Sequence, residues 1–160
     1  MPKIVDHDAY REDLANRAAA YFAEYSYTGA SLRKITEYLG ISKSAFYHYF
    51  PNKQALFLAS TKQVMRKTQV DFTTTGKGSE KAKIQQLTDA MRSEFGSEMS
   101  IVFDYLRDKT KEEVAEDEAM QIALDTYRAS AEAIVGADRA NETLAKIMGT
   151  LLLEYMSGTI

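Results

Sequence analysis

Apolar positions recur at helical spacing along almost the whole chain. Leu14, Ala18, Tyr21, Phe22 and Tyr25 fall at i, i+4, i+7, i+8 and i+11, one face of a helix predicted from about Asp8 to Tyr25. Ser26-Tyr27-Thr28-Gly29 breaks that pattern. Ser31 then suits an N-cap, because its hydroxyl can accept an orphan backbone N–H. A short helix follows with Leu32, Ile35 and Leu39 inward, and Gly40 supplies the left-handed residue that ends it. Ser42 caps a second short helix, Lys43 to about Tyr49, with Phe46, Tyr49 and Phe50 as anchors. Pro51 stops it, and Asn52 caps a helix from Lys53 to roughly Phe72 with Leu56, Phe57 and Val64 inward.

The run Thr73-Thr74-Thr75-Gly76-Lys77-Gly78 reads as the linker, which places a boundary between residues 1–75 and 76–160. Beyond it, Ser79 caps a helix with an inward face of Ile84, Leu87, Met91 and Phe95. A break is expected at Gly96-Ser97, then a shorter helix with Met99, Val102, Phe103 and Leu106. The acidic run Glu112 to Glu118 is expected to enter one long helix carrying Met120, Leu124, Tyr127, Ala131 and Ile134, closed by Gly136. The last helix, from about Asp138, carries a wide stripe of Leu144, Ile147, Met148, Leu151, Leu152 and Tyr155. The expectation is about eight helices, no strand and an all-α fold.

Composition agrees. The chain of 160 residues has a 45% apolar fraction, enough for a buried core, and only two prolines. It has no cysteine, which excludes disulfides and Cys-based zinc sites. The first residues lack a basic segment followed by an apolar one, and the surroundings of Leu151-Leu152-Leu153 are too short and interrupted to span a bilayer. A cytoplasmic protein without membrane association is expected. Net charge is −3, but residues 1–75 carry ten basic and seven acidic side chains while residues 76–160 carry ten and sixteen. A mildly basic front on an acidic rear suits a protein that offers one end to a polyanion.

The most informative segment is Ser31 to Phe50. Two short capped helices meeting across Gly40-Ile41-Ser42 make a helix-turn-helix. The second helix has the composition of a reader of the DNA major groove. Ser44 and Ala45 are small enough to let its backbone approach the groove floor, and Ala45 can meet a thymine methyl. Tyr47 and His48 can hydrogen-bond phosphate oxygens, and Lys43 can meet a base or a phosphate. Ser31, Ser42 and Asn52 place helix N-termini where phosphates bind, and Arg33 and Lys53 add cations. The two histidines, without cysteine, give no metal site, and no cofactor is expected.

Residues 10–57 resemble the head of TetR-family regulators, above all in the run Ile41-Ser42-Lys43-Ser44-Ala45-Phe46-Tyr47-His48-Tyr49-Phe50-Pro51-Asn52-Lys53-Gln54-Ala55-Leu56. Ser26 stands where that family usually has Gly, and Thr36 where it usually has Ala. The resemblance implies a homeodomain-like three-helix head, a C-terminal helical domain for ligand binding and dimerisation, and a homodimer on a palindromic double-stranded operator. It also implies a repressor released by a small-molecule effector. Met91, Phe95, Met99, Phe103, Met120, Leu124 and Tyr127 are the candidate pocket. Ile147, Leu151, Leu152 and Tyr155 are the candidate dimer face.

No Ser-His-Asp set, phosphate loop or His-Glu-x-x-His is present, so an enzyme is not expected. The rival reading is a helical protein-interaction module without specific DNA binding.

Overall fold

A computed structural model describes residues 5–73 and 77–160, with the side chains of 70–73 left aside. Thr74-Thr75-Gly76 of the expected linker thus lie outside the described residues. Among those residues there are nine α-helices and no strand: α1 His7–Tyr25, α2 Leu32–Leu39, α3 Lys43–Tyr49, α4 Lys53–Thr73, α5 Glu80–Arg92, α6 Phe95–Leu106, α7 Lys111–Ala115, α8 Glu118–Val135 and α9 Ala137–Met156. The chain divides into two compact units. A head unit comprises Met1–Val64 with Ser100–Ala119, and a body unit comprises Met65–Met99 with Met120–Ile160.

In the head unit, α1 buries Leu14, Ala15, Ala18, Tyr21 and Phe22. Ile35, Leu39, Phe46, Phe50, Leu56 and Phe57 complete the core. The rings of Phe22 and Phe57 meet edge to face with centroids 5.2 Å apart, and Phe46 and Phe50 lie 5.8 Å apart. Such pairs add directional preference to simple burial. Tyr25, the last residue of the expected inward stripe, is instead exposed at the helix end, with its ring against that of Tyr21.

Segment 100–119 belongs to this core although it is distant in sequence. Tyr105 stacks on Phe57 at 4.2 Å and meets Tyr27 edge-on at 4.8 Å. Its hydroxyl donates to Asp117 Oδ2 at 2.7 Å, and Lys109 Nζ stands 3.3 Å from the same oxygen. The Asp104 carboxylate accepts from both the backbone N–H and the hydroxyl of Thr28, each at 2.7 Å. Those two bonds hold the Asp104 carboxyl below its ordinary value against the opposing effect of burial.

In the body unit, Leu87, Met91 and Phe95 pack with Ala131, Ala140, Leu144, Ile147 and Leu151. Arg92 binds the Glu154 carboxylate through Nε at 2.9 Å and also pairs with Asp89. Arg139 grips Glu80 with both terminal nitrogens, at 2.8 and 2.7 Å. These are the planar two-point pairs that guanidinium groups favour.

Two expected boundaries are corrected. The break falls at Ser93-Glu94, and Gly96-Ser97 lie inside α6. A Cβ at Gly96 would stand 2.6 Å from the Tyr155 ring, so this glycine makes room for a side chain and does not end the helix. The acidic run does not enter one long helix either. Thr110 and Glu113 form a reciprocal capping box that opens the separate α7, and the chain turns at Glu116-Asp117 before α8.

Candidate nucleic-acid interface

The helix-turn-helix is specified by local chemistry. Ser31 Oγ accepts from Lys34 N–H at 3.3 Å and opens α2. Gly40 closes it at φ 67°, ψ 32°, with its N–H donating to Glu37 O and that of Ile41 to Thr36 O. A left-handed residue followed by such a bond is the usual helix stop, and glycine adopts it without steric cost. Ser42 Oγ accepts from Ala45 N–H at 3.0 Å and opens α3, and Asn52 Oδ1 accepts from Ala55 N–H at 2.8 Å to open α4.

Helices this short need clamping. Arg17 donates to Leu39 O at 2.9 Å, and Arg11 Nε reaches Tyr49 O while its guanidinium lies over the Phe50 ring. Phe46 and Phe50 are fully buried. The remaining faces of α3 point outward: Lys43, Ser44, Tyr47 and His48 are exposed and Ala45 is partly so. No acidic residue occurs in α3, so the outward surface carries no charge that would repel phosphate.

The other candidates differ in standing. Ser31, Ser42 and Arg33 are exposed. Arg33 Nε donates to Glu37 Oε1 at 2.9 Å, which compensates its charge locally. Lys53 is half-buried. Its ammonium donates to Tyr27 O at 2.9 Å and lies 4.1 Å from the Tyr27 ring centre, and burial pushes its pKa below the ordinary lysine value. Lys53 therefore ties the start of α4 to the head's interior.

One group beside α3 was absent from the sequence reading. His7 Nδ1 lies 2.9 Å from the Tyr49 hydroxyl, and the His7 and His48 ring centres are 5.5 Å apart. A separation of 41 residues between the two histidines left no signal of this in the sequence.

A family description, "Bacterial regulatory proteins, tetR family", matches residues 14–60, which hold α2, α3 and the Arg17 clamp. Residues 14–60 are thus similar to the TetR family. Relatives of this TetR-type segment include the HTH-type transcriptional repressor Rv1474c of Mycobacterium tuberculosis, 38% identical over 65 residues, 39% of this chain and 35% of that protein. The HTH-type transcriptional repressor AcnR of Corynebacterium jeikeium is 39% identical over 69 residues, 42% of this chain and 36% of that protein. The matches thus span about a third of the length of these curated relatives.

The fold extends the likeness. The reduced form of Escherichia coli NemR superposes with a TM-score of 0.72 over 92% of this chain and 88% of that one, at 19% identity. Salmonella enterica GusR gives 0.62 over 93% and 85%, also at 19%. At that identity the likeness is one of fold.

The body unit places its candidates less uniformly. Met91 and Tyr127 line a cavity of about 210 Å³ together with Thr68, Ala90, Ser93, Glu94 and Glu98. There the Tyr127 hydroxyl donates to Glu98 Oε2 at 2.6 Å. Burial raises the Glu98 pKa, the Tyr127 bond opposes that shift, and burial with the neighbouring carboxylate pushes the Tyr127 phenol up. Phe95 and Met99 pack in the body core, and Met120 is half-buried. Phe103 and Leu124 are corrected as pocket residues: Phe103 is 63% exposed and belongs to the head unit, and Leu124 is 50% exposed, so neither helps enclose this cavity.

Of the expected dimer face, Ile147 and Leu151 are corrected too. Both are buried in the body unit's own core, because α9 turns that side toward α5. Tyr155 rests against Gly96 yet stays half exposed. The open stripe of α9 is Leu152, Leu153, Tyr155 and Met156. Among the described residues no group of three or more metal-ligating side chains occurs, and no helix is long and apolar enough to cross a membrane.

Proposed function

We propose that this protein is a sequence-specific DNA-binding transcriptional regulator, a repressor without enzymatic activity that works in the cytoplasm. The observation that carries the reading is α3: a rod anchored by Phe46 and Phe50 that turns Lys43, Ser44, Ala45, Tyr47 and His48 outward, within a TetR-family segment. Ser44 and Ala45 read base edges, whereas Lys43, Tyr47, His48 and the N-termini at Ser31 and Ser42 meet phosphates. Arg33 and Lys53 contribute less, since both are already engaged within the head.

The chain acts as a homodimer. The apolar side chains left open on α9 support this, and two copies of α3 would then meet half-sites about 34 Å apart on a palindrome. A small molecule taken up by the body unit releases the operator, provided it binds the released form more tightly than the DNA-competent one. The 210 Å³ cavity at Glu98 and Tyr127 supports such an effector.

Selection of bound duplexes from a random pool tests the reading. An enriched palindrome whose binding weakens steeply with salt is expected. Retention of duplexes without sequence enrichment would favour an interaction module and overturn it.

A further inference from the structure

The chain contains two histidines and no cysteine, and both histidines stand at the edge of the reading helix. His7 opens α1 and His48 lies in the last turn of α3, with ring centres 5.5 Å apart and both rings exposed. Tyr49 joins them: its hydroxyl lies 2.9 Å from His7 Nδ1, and its ring meets that of His48 edge-on at 4.9 Å. Tyr10 in turn packs on Tyr49 at 5.3 Å, and Arg11 Nε donates to Tyr49 O. Two elements separated in sequence thus bring every imidazole of the protein to one spot beside the proposed groove-facing surface.

We infer that His7 and His48 form one phosphate-binding edge whose charge, and hence the grip on DNA, is set by pH. The inference rests on the DNA-binding reading above and adds α1 to the elements that touch the duplex. Imidazole is the side chain whose ordinary titration falls near pH 6.5. Each ring that gains a proton becomes a cationic donor, able to meet a phosphate oxygen and displace one condensed counterion.

Asp6, the N-cap of α1, and Asp8 in its first turn are the acids beside His7 in sequence, and Asp6 is engaged in capping, accepting from Asp8 and Ala9 N–H at 3.1 Å. Arg11 on α1 is the nearby fixed cation, its Nε donating to Tyr49 O. Two cationic rings with centres 5.5 Å apart repel one another. A phosphate placed between them supplies the counter-charge that lets both rings protonate. DNA binding is therefore coupled to proton uptake.

The test measures the affinity of the full chain for its selected operator between pH 8 and pH 5.5 at fixed salt, for the unaltered protein and for His7→Gln, His48→Gln and the double variant. The unaltered protein is expected to bind about fivefold or more tighter at pH 5.5 than at pH 8. Its log affinity against log salt should also steepen by about one to two ion equivalents. Each single variant loses part of that gain. The double variant, shown to be folded by an unchanged helical circular dichroism spectrum and melting temperature, should lose nearly all of it. A double variant whose pH profile runs parallel to that of the unaltered protein overturns the inference and leaves the DNA-binding reading standing. Absence of binding at every pH overturns both.

Discussion

The head and body units bury their apolar side chains in different ways. The head is held at fixed points: capped helix starts at Ser31, Ser42 and Asn52, a left-handed Gly40, and aromatic contacts among Phe22, Phe57, Tyr27 and Tyr105. The body core is mainly aliphatic, and α9 also leaves Leu153 and Met156 68% and 74% exposed. The first design fixes where each backbone segment points, as a surface that must match a groove requires. The second relies chiefly on aliphatic faces meeting, with Arg92–Glu154 and Arg139–Glu80 as its directional pairs.

This contrast can be broken or sharpened by substitution. The largest effect is expected from Phe46→Ala, which empties a fully buried aromatic site under the reading helix. It should cost about 3–5 kcal/mol in denaturant unfolding and abolish operator binding. Retained binding at full occupancy would show that α3 does not depend on this anchor.

Next comes Gly29→Ala. A Cβ there would stand 2.2 Å from Tyr25 O, an overlap only backbone movement relieves. A loss of about 1–3 kcal/mol is expected, and an unchanged midpoint would mean that the turn yields freely.

Ser26→Gly should act in the opposite direction. Ser26 sits at φ 59°, ψ −177°, a region occupied almost only by glycine. Relief of that strain exceeds the added chain entropy, so a gain of about 1 kcal/mol is expected, with Tm up by roughly 2–4 °C.

The smallest change is expected in the body, from Glu98→Gln, which keeps an acceptor for the Tyr127 hydroxyl and removes a half-buried charge. Burial raises the Glu98 pKa above its ordinary 4.5, so the folded state holds its proton more tightly than the unfolded chain. The native state is therefore favoured at acid pH, and that advantage is lost as pH rises through the raised value. The variant should melt higher than the unaltered protein near pH 8, with the gap closing toward pH 4.5. A gap that widens on acidification would reverse the sign.

Much of the head was legible because its determinants are local. A serine or asparagine before a helix, a glycine after it, and Phe46 and Phe50 beside small and polar neighbours can each be read within a few residues. What escaped was either distant or two-sided. The Asp104 clamp on Thr28 joins residues 76 apart, and no periodicity announces it. Gly96 reads as a helix breaker until the Tyr155 ring beside it is known. The α9 stripe is apolar on more than one face, so its pattern did not show that Ile147 and Leu151 turn inward while Leu152 and Leu153 remain open. The acidic run conceals the α7 start because Glu113, one of its own acids, is the residue that closes the capping box with Thr110.

The most direct test compares Ser44 and Ala45 variants with Tyr47→Ala on the selected operator and on single-base variants of it. Substitutions at Ser44 or Ala45 should change which bases are preferred, and Tyr47→Ala should weaken every sequence by about the same factor. Equal loss on every duplex from all three substitutions would contradict the assignment of α3 as the reader.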